Sequence, residues 1–146
     1  MLRLVQEEDR ETAVSLMREF YASPAVLHPV PPSYFERTID NALQGSPYVE
    51  LWLMTDEGRA AGYVLLSKSY SNEAGGLVIW LEEIYIREAF RGRQLGSRAV
   101  RHIEALYAES AARFRLEVEA DNSGAIRLYE RLGYRKLPYS QMVKPG

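Results

Sequence analysis

Two adjacent carboxylates, Glu82 and Glu83, stand inside an apolar run that begins Leu77-Val78-Ile79-Trp80-Leu81 and resumes as Ile84-Tyr85-Ile86. Flanking residues this rich in β-branched and aromatic types predict a strand covered on both faces. Charge in such a place is costly unless it is paired or used, so the pair marks either an ion pair or a chemical site. Side chains alternate along a strand, and the two glutamates are therefore expected to face opposite ways. A carboxylate here could take the proton that an ammonium must lose before its nitrogen can attack a carbonyl carbon. Directly after the strand comes Arg91-Gly92-Arg93-Gln94-Leu95-Gly96-Ser97, a basic, glycine-bearing turn, and a helical pattern follows it. Strand, turn and helix start in that order aim main-chain N–H groups and a helix dipole at one point, an arrangement that favours phosphate.

These elements resemble the acetyl-CoA signature of the GNAT superfamily of N-acetyltransferases. Leu81 to Ile86 followed by Arg91 to Gly96 is similar to the family's Gln/Arg-x-x-Gly-x-Gly/Ala turn at the end of its central strand; Arg91 and Gly96 fit, whereas Gln94 stands where the first glycine usually is. The second half of the signature lies downstream, as Asn122-x-x-Ala125-x-x-x-Tyr129-x-x-x-Gly133-Tyr134. Together the halves cover about residues 77 to 137.

The resemblance implies acetyl transfer from acetyl-CoA to a primary amine of a small molecule or peptide, by direct attack in a ternary complex and without a metal. It implies cofactor binding by Ile84, Tyr85 and Ile86 of the strand, by Arg91, Gly92, Arg93, Gln94, Leu95, Gly96 and Ser97 of the turn, and by Asn122 and Tyr129. Glu82 is the first candidate for general base, directly or through a water. Glu83 is the second, as base or as the anion that holds a cationic acceptor. Tyr129 resembles the family's general acid, and Tyr21 is a candidate lining residue of the acceptor pocket. Each has a structural alternative: an arginine ion pair for the glutamates, core packing for both tyrosines, and a turn or helix N-cap for Asn122. Gln94 would strain the turn if it needed a positive φ, and its position at the brink of the helix predicts helical backbone instead.

Composition frames this reading. At 146 residues and 47% hydrophobic, the chain fits one globular domain over residues 1–146. It has no cysteine, which removes disulfides and thiolate metal sites and makes a reducing, cytoplasmic compartment the default. Apolar runs reach only about six residues, far from the ~20 of a membrane span, so no membrane partner is expected. Net charge is −2, which argues against a nucleic-acid binder. The halves differ. Residues 1–86 carry six Lys/Arg against thirteen Asp/Glu, and residues 87–146 twelve against seven. A basic half suits a polyanionic cofactor, and an acidic half a cationic acceptor.

The elements that must position these residues follow from periodicity. Leu2 to Val5 predicts a first strand, and Asp9 is placed to cap a helix whose apolar face is Ala13, Leu16, Met17 and Phe20. Four prolines between Ser23 and Pro32 forbid a regular element there, and His28 among them reads as a surface residue. Ser33-Tyr34-Phe35-Glu36 has capping-box spacing ahead of a helix ending at Gly45. Tyr48–Met54 and Ala61–Tyr70 predict a hairpin around Asp56-Glu57-Gly58. Leu95, Ala99, Ile103 and Leu106 form one helical stripe that leaves His102 solvated, and Phe114, Leu116 and Val118 alternate as a strand. A helix with Ala125, Leu128, Tyr129 and Leu132 on one face ends at Gly133, and Tyr134–Leu137 with Tyr139–Val143 predict a closing strand pair. The fold class is α/β (α+β), GNAT-like, with a mixed, mostly antiparallel sheet of about seven strands and about four helices. The closing pair is where a homodimer would form.

Three functions fit these residues: an amine acetyltransferase, a domain that binds acyl-CoA as a sensor or partner module without turnover, and an unrelated phosphate binder. The last lacks both Gly-x-x-x-x-Gly-Lys-Ser/Thr and Gly-x-Gly-x-x-Gly.

Overall fold

The structure is a computed structural model that describes residues 1–146. Its strands are β1 (Leu2–Leu4), β2 (Val49–Asp56), β3 (Arg59–Ser71), β4 (Gly76–Ile86) and β5 (Ala111–Leu116), paired in the order β1-β2-β3-β4-β5. Every neighbouring pair is antiparallel except β4 and β5. Parallel strands need a crossover, and α3 (Leu95–Leu106) supplies it. Helices α1 (Arg10–Tyr21) and α2 (Pro32–Leu43) precede the long strands, and α4 (Ser123–Arg131) follows β5.

Two apolar layers sandwich the sheet, because β3 alternates from Tyr63 onward. Tyr63 and Leu65 join Leu16, Met17, Phe35 and Ile39 under α1 and α2. Val64 and Leu66 join Ile79, Leu81, Leu95 and Ile103 under α3. The β2–β3 hairpin turns through Glu57 and Gly58, both at positive φ, as a two-residue connection between twisted strands requires.

The mixed α/β class and the four helices stand as expected, and the sheet has five strands rather than about seven. The predicted closing pair is irregular chain. Met142 and Val143 are 98% and 93% exposed, so nothing covers the apolar side that such a ribbon would need to bury. The strand predicted through Val118 ends at Leu116, where its partner Leu81 is also the last paired residue of the ladder. Leu106, placed on the buried stripe of α3, is 51% exposed.

Neither predicted cap forms. Helix α2 starts at Pro32, whose fixed φ suits a first helical position. The Asp9 carboxylate caps nothing on α1: it accepts both Arg3 guanidinium nitrogens, at 2.6 and 2.8 Å, and the Gln6 N–H at 2.8 Å. This ties β1 to the start of α1 through a nearly buried charge. The Arg3 hydrogen bonds hold the Asp9 pKa below its ordinary value. A depressed carboxylate stabilises the native state above its unfolded-state pKa and loses that contribution as pH falls through its folded-state pKa. Asp9→Asn is therefore expected to cost about 1–3 kcal/mol at neutral pH. In urea melts the gap from wild type should close in acid; a gap that persists undiminished would contradict this account.

Candidate active site

The centre of the site is an irregularity in β4. Opposite it on β3, Leu66 pairs with Leu81 and Leu65 pairs with Glu83, so Glu82 is an extra residue, a β-bulge. A bulge shifts the side-chain alternation by one. Ser67 Oγ donates to Glu82 Oε1 at 2.8 Å, and Tyr63 Oη donates to Glu83 Oε1 at 2.8 Å. Ser67, Leu65 and Tyr63 are alternate residues of a regular strand and share the face beneath α1 and α2. Both carboxylates therefore lie on one face, contrary to simple alternation. Neither sits in an ion pair: hydroxyl groups hold both.

Glu83 takes a second phenol, the Tyr21 hydroxyl, on Oε2. Burial pushes the Glu83 pKa up, the two phenol hydrogen bonds oppose that rise, and the neighbouring charge of Glu82 adds to it. Burial, together with the Glu83 carboxylate, drives the Tyr21 and Tyr63 phenols upward, so both remain protonated donors. Against Glu83 opens a cavity of about 220 Å³, walled in part by Tyr21, Phe35 and Leu65. The Tyr21 and Phe35 rings stack, with centroids 5.6 Å apart. Tyr21 and Glu83, the two candidate acceptor-side residues, are thus in direct contact. Sequence reasoning missed their supports Tyr63 and Ser67, which stand at the start and just past the end of the apolar stretch Tyr63 to Leu66.

Past the bulge, β4 has no partner on its β5 side, because the ladder ends at Leu81 and Leu116. The main chain of Glu83 to Ile86 has no strand beside it along that edge, and its Ile86 carbonyl is taken by a side chain of the turn. Ile84 and Ile86 pack beneath α3, whereas Tyr85 turns the other way and donates to Glu19 Oε1 at 3.2 Å. The turn follows. Arg91 Nε donates to the Ile86 carbonyl at 3.0 Å, and Gly92 has φ +79°. Helix α3 closes its first bond from Arg98 N–H to the Gln94 carbonyl at 3.1 Å. The N–H groups of Leu95, Gly96 and Ser97 thus form a first turn without intrahelical partners. Gly96 packs against Ile86: a Cβ there would lie 3.3 Å from Ile86 Cδ1. These donors suit a diphosphate.

Two expectations change here. Gln94 is not helical; it is the N-cap of α3 in the left-handed region, at φ 61° and ψ 23°. A residue with a Cβ is strained there by about 1–2 kcal/mol. Arg93 is already engaged, with Nη1 2.6 Å from Asp56 Oδ2 and its guanidinium over the Phe90 ring.

On the α3 side, Asn122 caps α4, its Oδ1 accepting the Ala125 N–H at 3.2 Å, as the N-cap alternative anticipated. Tyr129 is half-buried in the α3-side layer, edge-on to Tyr134 at 6.0 Å. Burial raises its pKa, which keeps the phenol protonated. The two glutamates and Tyr129 thus belong to opposite layers of the sheet, while the β4–β5 ladder ends one residue before Glu82.

Residues 11–134 match the family described as the acetyltransferase (GNAT) family. The chain belongs to that family. Among curated proteins, it is 36% identical over 77 residues to a thialysine N-epsilon-acetyltransferase of Sus scrofa, covering 52% of this chain and 45% of the relative. It is 29% identical over 85 residues to a spermine/spermidine N(1)-acetyltransferase of Bacillus subtilis, covering 54% and 55%. The matched stretch thus spans about half the length of these relatives. The fold is shared with a possible acetyltransferase from Clostridium difficile 630, at TM-score 0.86 and 14% identity, covering 100% of this chain and 97% of that one. It is shared too with an aminoglycoside N-acetyltransferase solved in complex with CoA, at TM-score 0.80 and 15% identity, covering 99% and 93%.

The strained N-cap is open to test. Gln94→Gly should relieve the left-handed strain while adding unfolded-state entropy, for a net gain of about 0.5–1 kcal/mol. Gln94→Ala, which keeps a Cβ, should give none of it. Chemical denaturation of both variants checks this; a glycine variant no more stable than wild type would show that the conformation carries no strain.

Proposed function

We propose that residues 1–146 form one cytoplasmic domain that transfers the acetyl group of acetyl-CoA to a primary amine in a ternary complex. The observation that carries this is the bulge at Glu82, which gathers two carboxylates on one face of β4 one residue beyond the end of its pairing with β5. Family membership supports acetyl-CoA as donor, and the relatives named for thialysine and spermidine support an amine as acceptor.

The residues divide the work as follows. The unpartnered N–H groups of Leu95, Gly96 and Ser97, with Arg91 beside them, hold the pyrophosphate. The open main chain of Ile84 to Ile86 aligns the pantetheine arm, and Asn122 orders the start of α4 next to it. Glu83 holds the acceptor's ammonium. Glu82, exposed and tethered only by Ser67, accepts the proton that the ammonium must lose, directly or through a water. The freed nitrogen forms the new C–N bond as the C–S bond breaks, and it gives up its second proton to solvent as the neutral amide forms. Tyr129, kept protonated by burial, donates to the departing sulfur and is re-protonated from solvent.

CoA should raise the melting temperature, since a ligand that binds only the native state stabilises it. With an accepted amine, Tyr129→Phe should lower kcat by roughly 10²–10⁴ while CoA binding stays near wild type, because only the hydroxyl is lost. Glu82→Gln should also slow the reaction, but alkaline solution, where free amine is abundant, should restore part of the rate. Tyr129→Phe should show no such recovery. CoA binding without thiol release from any amine would favour the sensor reading instead, and no thermal shift at millimolar CoA would remove the cofactor site altogether.

A further inference from the structure

The cavity beside Glu83 is asymmetric in its chemistry. It lies between α1, α2 and the sheet, and Glu83 is the only carboxylate on its wall. Met17, Val30 and Leu65 line it with aliphatic groups, and Phe35 and Tyr34 with rings. Thr38 is its remaining polar side chain beside the tyrosines, and its hydroxyl donates to the Tyr34 carbonyl at 3.1 Å. The nearby carboxylate of Asp40 is taken by Arg10, at 2.7 and 3.1 Å. On the outer side, the Arg37 guanidinium lies 5.7 Å from the centroid of the exposed Tyr34 ring, so positive charge already flanks that wall.

Glu83 itself has capacity to spare. Each oxygen accepts one phenol, and a carboxylate oxygen has room for a second donor. An ammonium can therefore dock on Glu83 with both tyrosines still in place. Whatever extends from that ammonium into the cavity meets aliphatic and aromatic surface. A second ammonium there would be desolvated without a counter-ion, whereas an alkyl or aryl body would gain from burial.

We propose that this cavity selects a compact primary amine with a single positive charge and an apolar alkyl or aryl body, and selects against polycations. The inference rests on the acetyl-transfer reading above and names the acceptor class of the same site. At about 220 Å³ the cavity is smaller than a typical pocket for a drug-sized ligand, and this too favours a small acceptor.

The test compares hexylamine and phenethylamine with hexamethylenediamine, which matches hexylamine in length and adds one charge, and with kanamycin as a polycation. Calorimetry with CoA present reads binding, and thiol release with acetyl-CoA reads turnover. The single-charge amines should bind, and should exceed the diamine by about tenfold or more in both readouts. Thr38→Asp, which places a second carboxylate on the wall, should narrow that gap by improving the diamine several-fold. The inference is overturned if the diamine or kanamycin binds and reacts as well as the single-charge amines, an outcome that leaves acetyl transfer itself intact. It is equally overturned if no amine binds in the presence of CoA. Selective binding of the single-charge amines without thiol release would instead uphold the cavity's preference and defeat the transfer reading.

Discussion

Because Leu81 pairs with Leu66 while Glu83 pairs with Leu65, β4 carries one residue more than the strand beside it, and its face assignments invert across Glu82. Before the bulge, Ile79 and Leu81 point beneath α3; after it, Ile84 and Ile86 do, and Glu83 and Tyr85 point toward α1. The open edge beyond Leu81, the shared face of two carboxylates and the approach of Tyr21 to Glu83 all depend on that insertion. With Leu81 beneath α3, a regular strand would keep Glu82 on the α1 face and turn Glu83 away from it. Bulges bend strands and re-aim side chains, and here the bend falls where pairing with β5 stops.

The same insertion commits the fold to an unfavourable charge. Glu83 is half-buried, its pKa is raised, and two phenols answer its oxygens where an arginine could have. Its folded-state pKa lies above the unfolded value, so between the two the native state binds more protons. Stability therefore falls as pH rises through that window, the reverse of the Asp9 pair. Replacing the phenols by an arginine would lower this cost and would also neutralise the carboxylate proposed to receive an ammonium. Sites for binding charge commonly keep such a penalty, and other parts of the fold compensate. Here the Asp9–Arg3 contact and the two apolar layers are the compensating parts.

Much of this was legible in the sequence because it depends on local pattern. The strand of Leu77 to Ile86 and the start of α3 after the turn of Arg91 to Ser97 are short-range signals that formed where they were read. So did the stripe of Leu95, Ala99 and Ile103, though its fourth member Leu106 is exposed and Gln94 is left-handed rather than helical. Asp56-Glu57-Gly58 likewise fixed its hairpin. What failed depended on partners distant in the chain. Asp9 has N-cap chemistry by position, but a guanidinium six residues earlier takes it first. Tyr139 to Val143 has strand-like composition but finds no surface to cover. Tyr63 and Ser67 looked like ordinary residues of β3, because only the register of β4 makes them hydrogen-bond partners of the two glutamates.

The turn shows how a departure from a family pattern can be accommodated. Glycine at position 94 would take the left-handed conformation freely; Gln94 takes it anyway, at φ 61°. The alternative, a helical Gln94, would extend α3 backwards by one residue and bind the Ser97 N–H to the Arg93 carbonyl, leaving one free donor fewer among Leu95 to Ser97. Local strain of about 1–2 kcal/mol is small beside the burial of Leu95, Ala99 and Ile103, which fixes where α3 must lie. The helix position thus dictates the conformation of the residue before it, and the side chain follows. With Arg93 drawn to Asp56 and the Nε of Arg91 drawn to the Ile86 carbonyl, the donors that remain free at this turn are main-chain ones and the Nη groups of Arg91. The proposed recognition of a diphosphate here would depend on backbone placement more than on which side chains the turn carries, so a glutamine can stand where glycine is usual.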